Sequence, residues 1–470
     1  MPPRRPVLLA VVCASIFFDA LDLSITQVAL PSIQRDLQVG LAVLPWVAAA
    51  YVVTYGGVLL LGGRLTDVLG ARRVLLTGLA VFGAASLACG IAPSPAWLLT
   101  ARAVQGVGAA LTVPAAVAVL AGSFAEGPAR TRAFAAFAVA AASGFSAGLV
   151  LGGVLTDGLS WRWIFLAKVP VVVLVLVTAA VVVPRWTPAG RRALDLTGAG
   201  ALTGVSVLVV LGVTLAGTPA ATAVTVGVPL AAAALLLAVF LLAERRRRDP
   251  LLPPRLLRRR RAMASDVAAL TVLAAPFGVS YLVTVYQQEV LGRSPWATAL
   301  VLLPGAVLSA AVGQVLAARL LERHGLPVVY PAALVVVAVG NAVLFALSPA
   351  TATWVTVLAT VVSFGLGMGV AYPAATLGGL DGVDASDHGA AAGLNNTALQ
   401  VGGGLGLAVV AALVAGALGG STVGAPPDVA LSAIRLGVLG VVALPLLGAV
   451  VAAVGLRTPA PDRLGEDSVA

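Results

Sequence analysis

The stretch GRLTDVLGARR, residues 63–73, is a short polar break between two long apolar runs, 45–63 and 74–92. It contains two glycines, one acid and a basic pair. It returns in altered form as ARLLERHG at residues 318–325, where Arg, Leu, an acidic residue and Gly keep their register. Both copies follow an apolar run of about 20 residues, the length that crosses a ~30 Å hydrocarbon core. A repeated loop of this kind predicts a membrane protein built from two related halves.

The composition of the whole chain also predicts a membrane location. Of the 470 residues, 60% are hydrophobic and only 10% are charged, and the mean hydropathy is +1.04. A soluble protein carries charge on about a quarter of its residues. Because helices satisfy their own backbone hydrogen bonds in lipid, the apolar runs predict an all-α membrane protein. The fourteen predicted transmembrane helices are 7–30, 45–63, 74–92, 97–121, 133–156, 162–184, 196–216, 222–243, 263–288, 297–318, 327–347, 353–374, 390–416 and 431–456.

The distribution of charge predicts the orientation. Most of the 29 cationic residues fall in polar gaps on one side of the predicted topology. The positive-inside rule places that side in the cytoplasm. We therefore expect a multi-pass protein of a bacterial inner (plasma) membrane with cytoplasmic N- and C-termini. The same placement argues against a nucleic-acid-binding stripe, despite the net charge of +10.

The predicted helices divide into two sets of six when the seventh and eighth are set aside. We predict a six-helix bundle in residues 1–195, two extra helices with an Arg-rich cytoplasmic linker in 196–261, a second six-helix bundle in 262–456, and a cytoplasmic tail in 457–470. Two such halves that meet around a site near the membrane midplane are a transporter architecture. The Arg-rich linker is interpreted as a topology anchor beside anionic lipid, with a regulatory lipid site as the alternative.

Four motifs carry a resemblance to a known family. Residues 63–73 resemble the loop signature of the major facilitator superfamily, and LDLSITQVALP at 21–31 resembles the first-helix motif of its fourteen-helix drug:proton antiporter subfamily. RAVQG at 102–106 and WRWIF at 161–165 are similar to motifs in helices four and six of that subfamily. The resemblance implies the major-facilitator fold, alternating access, and export driven by the proton-motive force without a cofactor. The partners it implies are a small-molecule substrate, protons and the lipid bilayer, with no nucleic acid, and we expect a monomer.

The loop motif has a physical logic as a gate. Gly63 and Gly70 permit close packing and a tight turn, and Asp67 lies at a helix end facing Arg72 and Arg73. In the family this acid also meets the N-terminus of the thirteenth helix and closes the cytoplasmic side. An anion at a helix N-terminus is stabilised by roughly 0.3–1 kcal/mol. The alternative for Asp67 is a plain surface salt bridge.

The proton-coupling candidates are Asp22, Asp19 and Arg102. Asp22 lies within the first helix, where a carboxylate is costly enough to be a functional candidate, and a fixed ion pair is the alternative. Asp19 lies one turn away on the same face, and Arg102 lies at similar depth in the fourth helix, where it can pair with Asp22. Lys168 stands where the family more often has Asn. It is expected either to neutralise Asp19 or to bind an anionic substrate group, and Gln105 is a further substrate-binding candidate.

Glycines in the fifth helix resemble the antiporter motif of the family. Gly144, Gly148, Gly152 and Gly153 are expected to permit close helix contact. Leu149 stands where that motif usually has Pro, which weakens its power to separate export from import.

Uncharged polar residues in the second half supply the other substrate-binding candidates, which are Gln287, Gln288, Asn395, Asn396 and Gln400. Hydrogen bonds between helices explain them equally well. Asp266 is expected at the membrane interface. No acid lies deep in 297–318, so the sequence favours neutral, singly charged or anionic amphiphiles. The acids at 381, 384 and 387 have the spacing of a loop and are not interpreted as a metal site.

These observations predict a proton-coupled antiporter that exports hydrophobic or amphiphilic small molecules, such as a drug, an antibiotic or a secondary metabolite. The first alternative is a proton-coupled symporter that imports a metabolite on the same fold. The second is a membrane-embedded enzyme or sensor, which has no supporting metal-ligand cluster or nucleophile–base pair in the sequence. ATP-driven pumping is not expected, because the P-loop signature does not occur.

Overall fold

The computed structural model describes residues 4–40, 43–124, 127–185, 196–218, 221–246, 254–384, 387–418 and 426–457. Within these ranges the chain is almost wholly helical and contains no β-strand, so the predicted all-α class is confirmed. The predicted boundary at residue 195, part of the Arg-rich linker and nearly all of the tail 457–470 lie outside the described residues.

Fourteen long helices in the described ranges follow the order of the predicted ones. They are α1 (Arg4–Leu37), α2 (Trp46–Leu69), α3 (Ala71–Gly90), α4 (Pro95–Ser123), α5 (Pro128–Gly158), α6 (Trp163–Val182), α7 (Leu196–Ala216), α8 (Ala223–Arg246), α9 (Arg260–Val290), α10 (Pro295–His324), α11 (Leu326–Ala346), α12 (Thr353–Gly378), α13 (His388–Ala417) and α14 (Pro427–Leu456). Thirteen have the length and hydropathy of a membrane span, and α7 contains a shorter apolar stretch, Gly200–Ala216. The chain is a multi-pass membrane protein.

The repeated loop in the sequence is matched by repeated local structure. The turns α2–α3 and α10–α11 each reverse the chain at one glycine of positive φ, 87° at Gly70 and 74° at Gly325. A residue with a Cβ is strained in that conformation. Helices α4 and α10 also begin alike, since the hydroxyls of Ser94 and Ser294 each accept a hydrogen bond from a backbone N–H three residues later. The end of the bundle that holds the Gly70 turn is called the loop-motif end below.

The two sets of helices meet along two seams. In the first set α1 packs on α5, and α4 packs on α2 and α3; in the second, α14 packs on α9, α11 and α13. Between the sets, α2 packs on α13 and α5 packs on α10. The Thr397 hydroxyl donates to the Gly56 carbonyl at 3.0 Å across the α2–α13 seam. Helices α7 and α8 pack on each other, and α7 also lies against α2 and α13.

Helices α6, α9 and α12 depart from regular α geometry, and the last turn of α11, Val343–Ala346, is a 3₁₀ helix. Helix α6 is interrupted at Ala167, between segments Trp163–Leu166 and Lys168–Val182. Helix α9 ends in a π-helical turn, Tyr286–Val290, and the middle of α12, Val361–Met368, is also π-helical. Such turns are frequent at functional sites. Gln287 and Gln288 lie in the π-helical turn of α9, and Lys168 lies directly after the interruption of α6.

The glycines predicted in α5 lie where other helices approach closely. A Cβ on Gly144 would lie 2.3 Å from a backbone oxygen of α1, and one on Gly148 would lie 2.5 Å from another. Gly152 also meets α1, whereas Gly153 meets the start of α10. Because helices in lipid associate through close packing, these contacts fix the position of α5 between the two sets of helices.

A ladder of ion pairs connects the Arg-rich linker and the start of α9 to the α12–α13 connection. Three arginines face three aspartates in antiparallel order, as Arg255–Asp387, Arg259–Asp384 and Arg261–Asp381. The Asp387 carboxylate is buried and accepts two hydrogen bonds from Arg255. The Asp384 carboxylate is exposed. Some of the arginines that were predicted to anchor the linker at the lipid surface therefore bind aspartates of the protein.

Replacing Gly148 tests the packing of α5 on α1. We expect Gly148→Ala to lower the free energy of unfolding, because overpacking costs about 1–3 kcal/mol. The measurement is thermal unfolding of the purified chain in detergent. Gly158→Ala, at the end of the same helix, is the matched control because its Cβ would meet nothing within 4 Å. Equal melting temperatures for the two variants would contradict the close α1–α5 contact.

The Arg255–Asp387 pair predicts a pH-dependent stability. The hydrogen bond from Arg255 holds the pKa of Asp387 below its ordinary value. Its stabilising effect is therefore fully present above the pKa of an unfolded aspartate and is lost as the pH falls through the folded pKa. Asp387→Asn should lower the melting temperature at neutral pH by more than Asp384→Asn does. Its deficit should shrink as the pH falls, and a deficit independent of pH would exclude the ion pair as its cause.

Candidate coupling and substrate site

Helix α1 places two acids inside the first set of helices. Asp19 and Asp22 lie one turn apart and are both buried, with Asp22 fully inaccessible. Two cations bind the Asp22 carboxylate: the Arg102 guanidinium contacts Oδ2 and the Lys168 ammonium contacts Oδ1. The side chain of Gln105 also donates to Oδ1 at 2.9 Å. Asp22 is thus held by three donors from α4 and α6.

The donors on α4 are themselves fixed. Arg102 and Gln105 are three residues apart, so they share one face of the helix, and Arg102 Nη1 donates to Gln105 Oε1 at 2.8 Å. Arg102 Nε donates to the Val47 carbonyl at 2.7 Å, and Gln105 Nε2 lies 2.9 Å from Ser86 Oγ. Because each polar group has a partner, this network can remain buried without a large desolvation cost.

Aromatic rings cover both cations. The Arg102 guanidinium lies 4.6 Å from the centroid of the Tyr51 ring, and the Lys168 ammonium lies 5.1 Å from that of Phe165 and 5.6 Å from that of Phe82. Cation–π contacts strengthen when they are desolvated. The rings therefore stabilise charge that water does not reach.

The expected pairing of Lys168 with Asp19 is wrong. Lys168 binds Asp22, whereas Asp19 accepts a hydrogen bond from the Tyr51 hydroxyl of α2. The physical reason is the placement of the helices. Lys168 opens the second segment of α6 on the side of α1 where Asp22 lies, and α2 covers Asp19. The pairing of Arg102 with Asp22, which was expected because both lie at similar depth in their helices, is present in the structure.

The polar candidates of the second half are divided between two places. Asn395 donates to Asp266 Oδ1 at 2.8 Å, and this acid is buried beneath α13. Gln400 is buried at the α2–α13 seam, where it lies against Gly56 of α2. Asn396 lines a cavity at the loop-motif end.

Helices α1 and α9 each carry buried polar atoms that have no hydrogen-bond partner. Gln288 Nε2 donates to the Val28 carbonyl at 3.0 Å, so the two helices are in contact there. Within the described part of the chain, both amide atoms of Gln27, the Thr284 hydroxyl and the side-chain oxygens of Gln287 and Gln288 are buried without a partner. A buried unpaired polar group costs about 1–3 kcal/mol, which is recovered when a partner binds.

The predicted gate lines a cavity of about 490 Å³ between α2, α4 and the start of α13. Gly63 and Asp67 contribute to it from α2, and Asp387 contributes from the residue before α13. The Arg72 guanidinium donates to the Ala180 carbonyl of α6 rather than facing Asp67, and Arg73 is exposed. Gly63 and Asp67 therefore lie across a cavity from the N-terminus of α13, and Asp67 does not make the contact with that N-terminus that the resemblance implied.

Reading the sequence missed Tyr51, Tyr55 and Ser86. Tyr51 and Tyr55 are four residues apart in an otherwise apolar helix, which places two hydroxyls on one face. That spacing is a usable signal. Ser86 carries no such signal, because a single serine in an apolar helix commonly bonds its own backbone.

A double-mutant cycle tests the direct pairing of Lys168 with Asp22. Asp22→Asn leaves two buried cations without their carboxylate, which should cost about 3–5 kcal/mol. Adding Lys168→Met should recover part of that loss, because it removes one of the cations. The measurement is the unfolding midpoint of the two single variants and the double variant. Asp19→Asn combined with Lys168→Met is the control and should show a smaller coupling energy, because these two side chains form no ion pair. Additivity in the Asp22 cycle would exclude the pair.

Several bacterial proteins are similar to this chain over most of its length. The sequence profile of the Major Facilitator Superfamily matches residues 12–407. The cephamycin export protein CmcT of Amycolatopsis lactamdurans is 38% identical over 403 residues, which cover 85% of this chain and 83% of the relative. The puromycin resistance protein pur8 of Streptomyces alboniger is 36% identical over 409 residues, covering 86% and 81%. The lincomycin resistance protein of Streptomyces lincolnensis is 35% identical over 393 residues, covering 83% and 80%.

Solved transporter structures share the fold at low sequence identity. The peptide transporter POT in complex with alafosfalin matches with a TM-score of 0.68 at 15% identity, over 94% of both chains. A bacterial homologue of the human lysosomal transporter Spinster, inward-facing and unoccupied, matches with a TM-score of 0.65 at 14% identity, over 97% of this chain and 98% of that one. With the profile match and the full-length relatives, they show that this chain is a transporter rather than an enzyme and belongs to the Major Facilitator Superfamily.

Proposed function

We propose that this transporter exports antibiotic-like amphiphilic molecules across the bacterial inner membrane in exchange for protons, with both termini in the cytoplasm. The observation that carries the proposal is the buried cluster of Asp19, Asp22, Arg102 and Lys168, in a chain whose full-length relatives are antibiotic export and resistance proteins. Ionisable side chains inside a membrane bundle mark ion and proton pathways. Here they lie beside the helices that form the seams between the two halves.

Proton coupling requires an acid whose charge changes the packing around it. In this cluster a proton on either acid removes one negative charge and leaves the buried cations in excess. Since an uncompensated buried charge is costly, the surrounding helices respond by rearranging. Arg102 is the group through which that response reaches α2, because it binds both Asp22 and the Val47 carbonyl.

The proposed substrate site lies between the halves. The unpaired atoms of Gln27, Thr284, Gln287 and Gln288 supply donors and acceptors for a polar substrate group when α1 and α9 separate. Gln400, at the α2–α13 seam, and the amides of Asn395 and Asn396 extend this polar surface toward the loop-motif end. Gln105 lies apart from it, inside the first half, where it binds Asp22 and Ser86. An anionic substrate group would compete with Asp22 for Lys168, since that ammonium is already paired.

The proposed gate is the approach of Asp67 to the start of α13. The cavity between them leaves room for that movement. A carboxylate that reaches a helix N-terminus gains roughly 0.3–1 kcal/mol. Such a gain is small enough to be reversed in each cycle, as alternating access requires.

The energy of one proton is sufficient for useful export. A proton that crosses about 150–200 mV releases roughly 3.5–4.6 kcal/mol. For a neutral substrate exchanged one for one, this sustains a gradient of several hundred-fold to a few thousand-fold. Import by symport would use the same fold and acids, but the named relatives are export and resistance proteins.

Expression in a drug-sensitive bacterium tests the proposal. We expect resistance to rise for at least one of cephamycin, puromycin and lincomycin, and an uncoupler to restore accumulation of that drug. In everted membrane vesicles with an acidified interior, adding the same drug should release protons from the vesicles, because antiport moves the two solutes in opposite directions. Vesicles without the transporter are the control. Resistance that survives the uncoupler, or drug uptake without proton release, would contradict proton antiport.

A further inference from the structure

The two buried acids of α1 have different surroundings. Asp22 binds two cations and an amide donor, which together occupy both of its oxygens. Asp19 accepts a hydrogen bond from the hydroxyl of Tyr51, a neutral group, and the ring of Tyr55 lies beside that of Tyr51 on the same helix. Among the described residues, no lysine or arginine forms an ion pair with Asp19.

The groups that face Asp19 come from three helices. From α1 itself the nearest titratable group is Asp22, a like charge one turn away. From α2 there are Tyr51 and Tyr55, and from α12 the Tyr372 hydroxyl lies within electrostatic range. A like charge and three phenols do not hold a carboxylate in its ionised form as a cation does.

The charges of the cluster balance in one state only. With Asp19 and Asp22 both ionised, two negative charges meet the two positive charges of Arg102 and Lys168. A proton on Asp19 leaves one positive charge in excess without breaking either ion pair. A proton on Asp22 would have to displace two bound cations, each of which would then be buried without its partner. Proton uptake at Asp19 is therefore the less disruptive event.

Asp19 also faces the other half of the transporter, whereas Asp22 does not. The polar partners of Asp22 belong to α4 and α6, which are helices of the first half. Tyr372, whose hydroxyl lies within electrostatic range of Asp19, belongs to α12, and Gln400 of α13 lies against Gly56 of α2, the residue next to Tyr55. A charge change that drives the two halves apart must be felt at the surface between them, which is where Asp19 lies.

We propose that Asp19 is the acid that binds and releases the coupling proton, and that Asp22 is a positioning residue that holds Arg102 and Lys168. The proposal rests on the proton coupling proposed above. Tyr51 connects the two sites, because its hydroxyl donates to Asp19 while its ring lies 4.6 Å from the Arg102 guanidinium. Protonation of Asp19 changes the acceptor that Tyr51 holds and leaves the excess positive charge facing an incoming substrate.

Infrared difference spectroscopy tests this without any substrate. The full chain, reconstituted in lipid, is titrated from alkaline to acidic pH, and the carbonyl stretch of protonated carboxyl groups is followed in water and heavy water. We expect a buried carboxyl signal in the wild type that Asp19→Asn removes and Asp19→Glu restores at a shifted frequency. A purely structural role for Asp19 would not produce this loss and return.

Two further variants identify the source of the signal. Asp266→Asn is the matched control, because Asp266 is also a buried acid and its side-chain partner, Asn395, is neutral. It should remove its own contribution and leave that of Asp19. Asp22→Asn with Lys168→Met keeps one acid and one cation in the cluster, so it avoids the unfolding that Asp22→Asn alone risks. It should retain the Asp19 signal.

The outcomes are separate from those of the export experiment. An Asp19→Asn spectrum identical to that of the wild type, or loss of the Asp19 signal in the Asp22→Asn, Lys168→Met variant, overturns the assignment and leaves antibiotic export untouched. A signal that depends on Asp19 in a chain that fails to exchange protons for drug would instead refute the proposed antiport. If the Asp19 signal is lost in Asp19→Asn, returns in Asp19→Glu and remains in the other variants, the result supports Asp19 as the proton carrier.

Discussion

The structure depends on a carboxylate that is held between two cations inside the membrane. Asp22 is fully buried, and its partners Arg102 and Lys168 are buried as well. None of the three could remain there alone, because an isolated charge in a low-dielectric interior carries a large desolvation cost. Their mutual contact therefore fixes α1, α4 and α6 relative to one another. This makes one side of the first half rigid.

Close helix packing allows the rest of the bundle to form around that site. Lipid offers no hydrophobic force that would drive helices together, so they associate through backbone approach and hydrogen bonds. Gly144 and Gly148 bring α5 onto α1, while Gly56 and Thr397 join α2 to α13. The rigid acid–cation site is thus placed next to seams formed by small residues. A transporter needs this combination, because its halves must move while its charged centre stays buried.

The loop-motif end shows a second use of charge, where water is present. There the Arg–Asp ladder ties the linker to the connection before α13, and Asp67 lies across a cavity from the start of the same helix. Ion pairs at a surface are weak individually, and their strength depends on salt and pH. Weak, reversible contacts suit a gate, whereas the buried pairs of Asp22 suit a fixed framework.

The sequence by itself determined the all-α membrane class, the order of the helices and the family, because runs of apolar residues and local motifs are sufficient for these. It also indicated Asp19, Asp22, Arg102 and Lys168 as the chemically important residues, since charge in an apolar helix is conspicuous. Only the tertiary structure decided which of them pair. Arg102 and Lys168 are 80 and 146 residues from Asp22 along the chain, and nothing in local spacing relates groups so distant. The burial of Asp266 and the tyrosines around Asp19 were decided in the same way, by which helix covers which face.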